Sequence, residues 1–169
     1  MAAGIRFINP ETLAKPPSYT HVVEVTAPGR IVYISGQLGT DHDGHVVGDV
    51  GDFRAQAVQV FDNLKAALAA VGASFKNVVK VNSYLADIDD MPILREVRAP
   101  YLNPDALPAS TTLAVSGFAR PSALLEVEVV AVLPAKFVKA ARKTANAKSK
   151  KPARSAARSA KTKTSRRKR

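Results

Sequence analysis

The feature that most limits what this chain can fold into is a break in its material near residue 135. From Lys136 to Arg169 the sequence carries 15 Lys and Arg, no acidic residue, and no apolar period after Val138. Like charges at that density repel. A run of Lys, Arg, Ala, Ser and Thr without aliphatic spacing also buries too little surface to offset the entropy of ordering it, so the segment is expected to be disordered in isolation. Any fold must come from residues 1–135, where 10 basic residues face 14 acidic ones, a net of −4 beneath the overall +11. That length suits one domain with a sizeable core. The expected organisation is one globular domain over 1–135 and a basic extension over 136–169.

Within the first part, two kinds of periodicity alternate. Strand patterns come first: IRFI from Ile5, THVVEVT from Thr20 and RIVYISG from Arg30, with Pro28 and Gly29 supplying a turn that predicts an antiparallel pairing of the last two. Asp52 is a helix N-cap candidate, and Ala57, Phe61, Leu64, Leu68 and Val71 recur at helical spacing until Gly72 stops them. From Asn77, Val79, Val81, Ser83 and Leu85 alternate with Lys80, Asn82 and Tyr84, the signature of a strand with one buried face. A second helix is expected from about Asp90, with Pro92 in its first turn, Leu94, Val97 and Tyr101 inward, and an end before Asn103-Pro104. The segment after Leu107 predicts a strand. From Ser122 the last strand follows, with Leu125, Val127, Val129 and Ala131 on one face and Glu126, Glu128, Val130 and Val132 on the other. The order βββαβαββ fits one sheet with both helices on a single face. The other face, carrying Val130 and Val132, must then be covered, and self-association is the economical answer.

The sequence has no cysteine, which excludes disulfides, thiolate nucleophiles and cysteine metal sites. Its longest apolar run, around Ala69, is interrupted by glycine and is far short of the roughly 18 to 20 residues of a membrane span. No signal-peptide pattern is visible after Met1. A cytoplasmic protein with no membrane partner is expected.

Glu126 and Glu128 stand two apart on a strand and share a face beside apolar neighbours. A carboxylate held there can position or activate a water, although most strand carboxylates lie at solvated edges or pair with bases. The DHDGH stretch, Asp41 to His45, has the composition of a polar turn and lacks further histidines nearby to complete a metal shell. His21, within a strand pattern, is read as a core or edge residue rather than a catalyst.

Taken together, YISGQLGTDHDGHVVGD from Tyr33, QAVQVFDNLKAALAAVGASFKNVVKVNSYLADIDDMPILREVRAPYL from Gln56 and LPASTTLAVSGFARPSALLEVEVVAVLP from Leu107 resemble the RidA/YjgF/YER057c family of imine and enamine deaminases. The resemblance runs from about Tyr19 to Pro134. It implies a chorismate-mutase-like α+β fold, a mixed sheet with two helices on one face, assembled as a homotrimer whose sheets line a central barrel, with a site at each subunit interface. In such deaminases a 2-imino acid, supplied by dehydratases or other pyridoxal enzymes, is hydrolysed to the 2-oxo acid and ammonia without metal or organic cofactor. By the same resemblance Glu126 matches the water-positioning glutamate and Tyr19 the tyrosine that closes the pocket. Ser35 and Gly36 match the pocket strand, and Thr112 the position whose backbone helps hold the substrate carboxylate.

One position departs. Where the family has its carboxylate-gripping arginine this chain has Ser110, and the turn that follows is about one residue longer, with Arg120 where the deaminases have other residues. Arg95 and Arg120 are the candidates to stand in. A bidentate guanidinium contact to a carboxylate contributes roughly 1.5 to 3 kcal/mol, so its loss weakens carboxylate recognition by about one to two orders of magnitude. The resemblance therefore implies hydrolysis of imines or enamines other than simple 2-imino acids. The rival is a non-catalytic small-molecule-binding trimer, tethered to nucleic acid or another polyanion through Lys150, Lys151, Arg154, Arg158, Arg166, Arg167, Lys168 and Arg169.

Overall fold

Asp52 opens the first helix as its side chain predicts, accepting the backbone N–H of Ala55 at 2.9 Å. The structure, a computed structural model, describes residues 4–26 and 29–133. The basic extension, its boundary with the domain, and Pro28 of the predicted turn lie outside the described residues. Strands β1 (Ile5–Ile8), β2 (Val22–Val25) and β3 (Arg30–Leu38) are followed by α1 (Phe53–Ala70), β4 (Val78–Leu85), α2 (Met91–Arg98), β5 (Ala109–Ala114) and β6 (Leu125–Leu133). Gly72, at φ +73°, stops the first helix where a left-handed residue is needed.

The predicted pairing of β2 with β3 is not what forms. β2 pairs antiparallel with β1 in a two-stranded sheet of its own, and β3 joins a four-stranded sheet of order β3-β6-β4-β5. The second sheet is mixed. β6 runs antiparallel to both β3 and β4, while β4 and β5 are parallel and joined across α2. The reason lies in the partners available: β3 gains β6, whose apolar face is buried along its whole length, whereas β2 offers only four residues.

Both helices pack on one face of this sheet. Phe61, Leu64 and Leu68 of α1 and Leu94 of α2 meet Val81 and Leu85 of β4 and Leu125, Val127 and Val129 of β6 in one core cluster. Their alternate neighbours Lys80, Asn82, Tyr84, Glu126 and Glu128 project from the opposite, outer face and are half-buried. The register puts Tyr33, Ile31 and Leu113 on that outer face too, with Tyr33 78% and Leu113 53% exposed. Among the described residues no helix is long and apolar enough to cross a membrane.

Candidate active site

A bulge in β3 creates the first element of the site. Ile34 pairs with Val129 and Gln37 with Val127, so Ser35 and Gly36 together face Glu128 alone. The bulge is pinned from both ends. Gln37 Nε2 donates to the Ser35 and Gly36 carbonyls, and Asn63 of α1 donates from Nδ2 to the carbonyls of Leu38 and Thr40 just beyond the strand.

Gly36 leaves open the space in which the Glu126 carboxylate lies. A Cβ built on it would stand 1.7 Å from Oε1 of Glu126 and 2.6 Å from its carboxyl carbon, so the carboxylate lies in the space a side chain would fill. Two hydrogen bonds from the buried Gln56 hold the segment leading into β6: its Nε2 donates to the Ser122 carbonyl at 3.0 Å, and its Oε1 accepts the Leu124 N–H at 2.8 Å.

The two carboxylates of β6 are differently employed. Glu128 Oε1 accepts from Asn82 Nδ2 at 2.8 Å and from the Tyr84 hydroxyl at 3.2 Å. Among the described residues no side chain donates to Glu126. Glu128 is thus a structural acceptor, while Glu126 keeps its lone pairs for water or ligand. Desolvation pushes the Tyr84 phenol above its usual range, and the hydrogen bond to Glu128 and the charges of Glu128 and Glu126 add to it. A protonated Tyr84 is therefore a hydrogen-bond donor across the neutral range. Lys80 Nζ donates to Thr111 Oγ1 at 2.7 Å on the same face. Beside these groups opens a cavity of about 370 Å³, lined among others by Tyr33, Ser35, Lys80, Asn82 and Glu128.

Of the residues singled out from sequence, Ser35, Gly36 and Glu126 come together here. Ser110 and Thr112 do not join them within one chain. Ser110 pairs in register with Val81 and Thr112 with Ser83, which puts both on the helix-facing side of the edge strand β5, whereas Tyr84 and Glu126 share a row on the outer side. Tyr19 is half-buried, its ring edge-on to His21 at 5.2 Å, and its neighbour Thr20 donates its N–H to the Pro108 carbonyl at the start of β5. Tyr19 therefore belongs with Ser110, not with Glu126. Arg95 lies on α2 near that same end, and Arg120 lies against the 41–45 turn, its Nη2 3.4 Å from where a Cβ of Gly44 would stand. His21 is a loop tether: its Nε2 donates to the Ala14 carbonyl at 2.8 Å.

Asp41 accounts for the DHDGH turn. Its Oδ1 accepts the N–H groups of Asp43 and His45, and the hydrogen bond from the His45 backbone above all holds its carboxyl below the usual range. The residue that sequence reading passed over is Arg98, buried at the end of α2. Its signal was present, because it falls four residues after Leu94 and three before Tyr101, on the stripe read as inward.

Residues 12–133 match the family described as endoribonuclease L-PSP. The chain belongs to this family. Among its relatives is the mouse 2-iminobutanoate/2-iminopropanoate deaminase, 37% identical over 123 residues, which cover 72% of this chain and 85% of that protein. A solved structure of a conserved Rid-family protein from Yersinia pestis superposes with a TM-score of 0.70 at 30% identity, covering 77% of this chain and 99% of the other. The RidA structure from an Antarctic Psychrobacter matches at a TM-score of 0.56 and 35% identity, over 71% and 92% of the two chains. The α+β architecture of two helices on a mixed sheet is that of the Rid family, as the sequence resemblance implied.

Proposed function

We propose that this Rid-family chain is a homotrimeric hydrolase of reactive imines and enamines, releasing a carbonyl compound and ammonia, and that Glu126 is its base. The observation that carries the reading is the Glu126 carboxylate seated over side-chain-less Gly36, with its neighbour Glu128 occupied by Asn82 and Tyr84. In this reaction a water oxygen attacks the imine carbon while Glu126 takes a proton from it. In the carbinolamine formed from the protonated imine that proton passes to nitrogen, and as the C–N bond breaks to release ammonia the remaining hydroxyl proton goes to Glu126 and the carbonyl forms. An enamine enters the same sequence after protonation on carbon. No other reactant is required. Kinship with a protein named 2-iminobutanoate/2-iminopropanoate deaminase supports the reaction class.

The trimer is supported by the same geometry. The outer sheet face exposes Ile31, Tyr33 and Leu113, and β5 is an open edge, which is where neighbouring copies would seat. The separation of Tyr19 and Ser110 from Glu126 within one chain fits a site completed across two subunits, one supplying each half. Light scattering should report three copies, and a monomer at micromolar concentration would contradict both the assembly and the shared site.

Ser110 in place of the family's arginine supports a substrate range shifted away from simple 2-imino acids. Ser110→Arg should raise hydrolysis of 2-iminopropionate by at most about 10- to 100-fold, and a second change, Glu126→Gln, should abolish the gain. Strong wild-type turnover that survives Ser110→Ala but collapses on Arg120→Ala would show that another guanidinium holds the carboxylate.

The charge of the extension favours a second property, polyanion binding through 136–169. If about 6 to 10 phosphates are neutralised, affinity for duplex DNA should fall by three to five decades between 50 and 200 mM salt. A gel shift unchanged by deleting 136–169 would contradict it.

A further inference from the structure

A second cavity, of about 160 Å³, lies between α2 and the segment preceding β2. Its walls are mostly apolar, with Pro17, Leu102 and Leu107 among them, yet two arginines, Arg95 and Arg98, enter it. They stand three residues apart and so share one face of α2.

Arg98 is 4% exposed, and among the described residues it is the only buried side chain that carries a charge. Its Nη2 donates to the Ser18 hydroxyl at 2.9 Å and to the Ser18 carbonyl at 3.3 Å, both of them uncharged acceptors. A guanidinium has five N–H donors, which leaves Nε and Nη1 without a protein acceptor among the described residues. The ion pairs of the described residues, Arg6 with Glu24, Asp41 with His45 and Arg54 with Glu96, do not include it. The rest of the chain contains neither Asp nor Glu, so no side-chain carboxylate from there can reach it either. Nε and Nη1 are not among the fully buried unpaired atoms, so they meet the cavity's water, and a guanidinium shielded this far without a counter-charge is destabilising. Burial lowers the pKa of Arg98, and the charge of Arg95 lowers it further, two pressures that an anion in the cavity would relieve together. The carbonyl end of α2 offsets part of the positive charge, but a helix terminus supplies only about half an elementary charge against two guanidiniums.

We propose that this cavity is a binding site for a short aliphatic carboxylate, held by the free N–H groups of Arg98 with Arg95 as the outer cation. At about 160 Å³ the cavity is well below the roughly 300 to 1,000 Å³ of pockets for drug-sized ligands, which fits a carboxylate of a few carbons. Every two-bond fork of a guanidinium uses Nη2, which Ser18 holds, so the carboxylate accepts a single charge-assisted bond from Nε or Nη1. The apolar walls favour an alkyl chain over the fully polar surface of inorganic phosphate. Because Arg98 also grips Ser18, next to Tyr19, an occupied site would brace the segment that carries Tyr19. The proposal does not depend on the imine chemistry, since it concerns binding at a separate cavity.

Calorimetric titration of the full chain with sodium butyrate, and separately with inorganic phosphate, at an ionic strength fixed with chloride, tests it. The expected result is saturable butyrate binding at one site per chain, weakened tenfold or more in Arg98→Met and by a smaller factor, threefold or more, in Arg95→Met. Glu126→Gln should bind butyrate as the wild type does, so a failure of imine hydrolysis would leave this result untouched. Arg95 is exposed, and its variant decides the matter alone if Arg98→Met does not fold. Absence of saturable binding, or equal affinity in Arg95→Met, would overturn the site. Phosphate binding that is tighter than butyrate and lost in the same variants would overturn the carboxylate assignment.

Discussion

The two faces of the four-stranded sheet are built from alternate residues of the same strands. Val81, Leu85, Val127 and Val129 are sealed beneath α1 and α2, and one step along the chain Lys80, Asn82, Tyr84, Glu126 and Glu128 stand on the other side, half-buried and polar. The period of two that satisfies the core thus delivers a row of titratable groups to the opposite face. The helix-facing side is specified by volume. The outer side is specified by single atoms, as the oxygen of Glu126 against Gly36 shows, and among the described residues no helix packs over it.

The difference can be broken by mutating one face at a time. The largest effect is expected from Glu126→Gln, which preserves shape and should lower imine hydrolysis by about 10² to 10⁴. Its melting temperature should stay close to that of the wild type, and a large drop would assign Glu126 to stability instead. Leu64→Ala on the other face should do the reverse: it removes a fully buried side chain and should cost about 2 to 5 kcal/mol in a denaturant titration. Near-wild-type stability in that variant would contradict the core described for α1.

A subtler test is Gly36→Ala. The new methyl meets the end of a flexible side chain, so Glu126 can swing away at little cost to folding, but it loses its position. Activity should fall by about 10²-fold while stability changes by less than about 1 kcal/mol. Unchanged activity would mean that Glu126 works from some other place.

The smallest expected effect is in the titration of Tyr84. Its phenol pKa is raised in the folded chain, so the associated stabilisation is fully present below the ordinary tyrosine range and is lost as the pH climbs through the raised value. Glu128→Gln removes the charge of one partner and should move the Tyr84 transition, followed by phenolate absorbance, back down toward the ordinary range. A transition unmoved by that change would leave desolvation and the charge of Glu126 as its causes.

How much of this could be seen in the sequence follows the same division. Side chains that act through bulk pattern were legible: Asp52 and Gly72 bound α1 where expected, and the alternation of β4 and β6 gave their buried faces. Pairing choices were not, because the Pro28-Gly29 turn speaks for a hairpin locally, whereas β6, about a hundred residues later in sequence, offers β3 the longer apolar partner. The face on which Ser110 lies was hidden as well. Ala109, Ser110, Thr111, Thr112, Leu113 and Ala114 carry no clear alternation, so only the register with β4 shows that Ser110 and Thr112 turn toward the helices. Arg98 was missed because charge in a helix is usually read as a solvated face, even where its spacing from Leu94 says otherwise.

The role given to the outer face stands most directly on ammonia release. With 2-iminopropionate and less acidic imines generated in situ, ammonia should form faster with the wild type than by spontaneous hydrolysis, with the larger enhancement on imines lacking a carboxylate. Glu126→Gln, measured alongside, should return every substrate to its spontaneous rate. A wild-type protein that gives no acceleration on any imine, or a Glu126→Gln variant as fast as the wild type, would contradict the assignment of this face to imine hydrolysis.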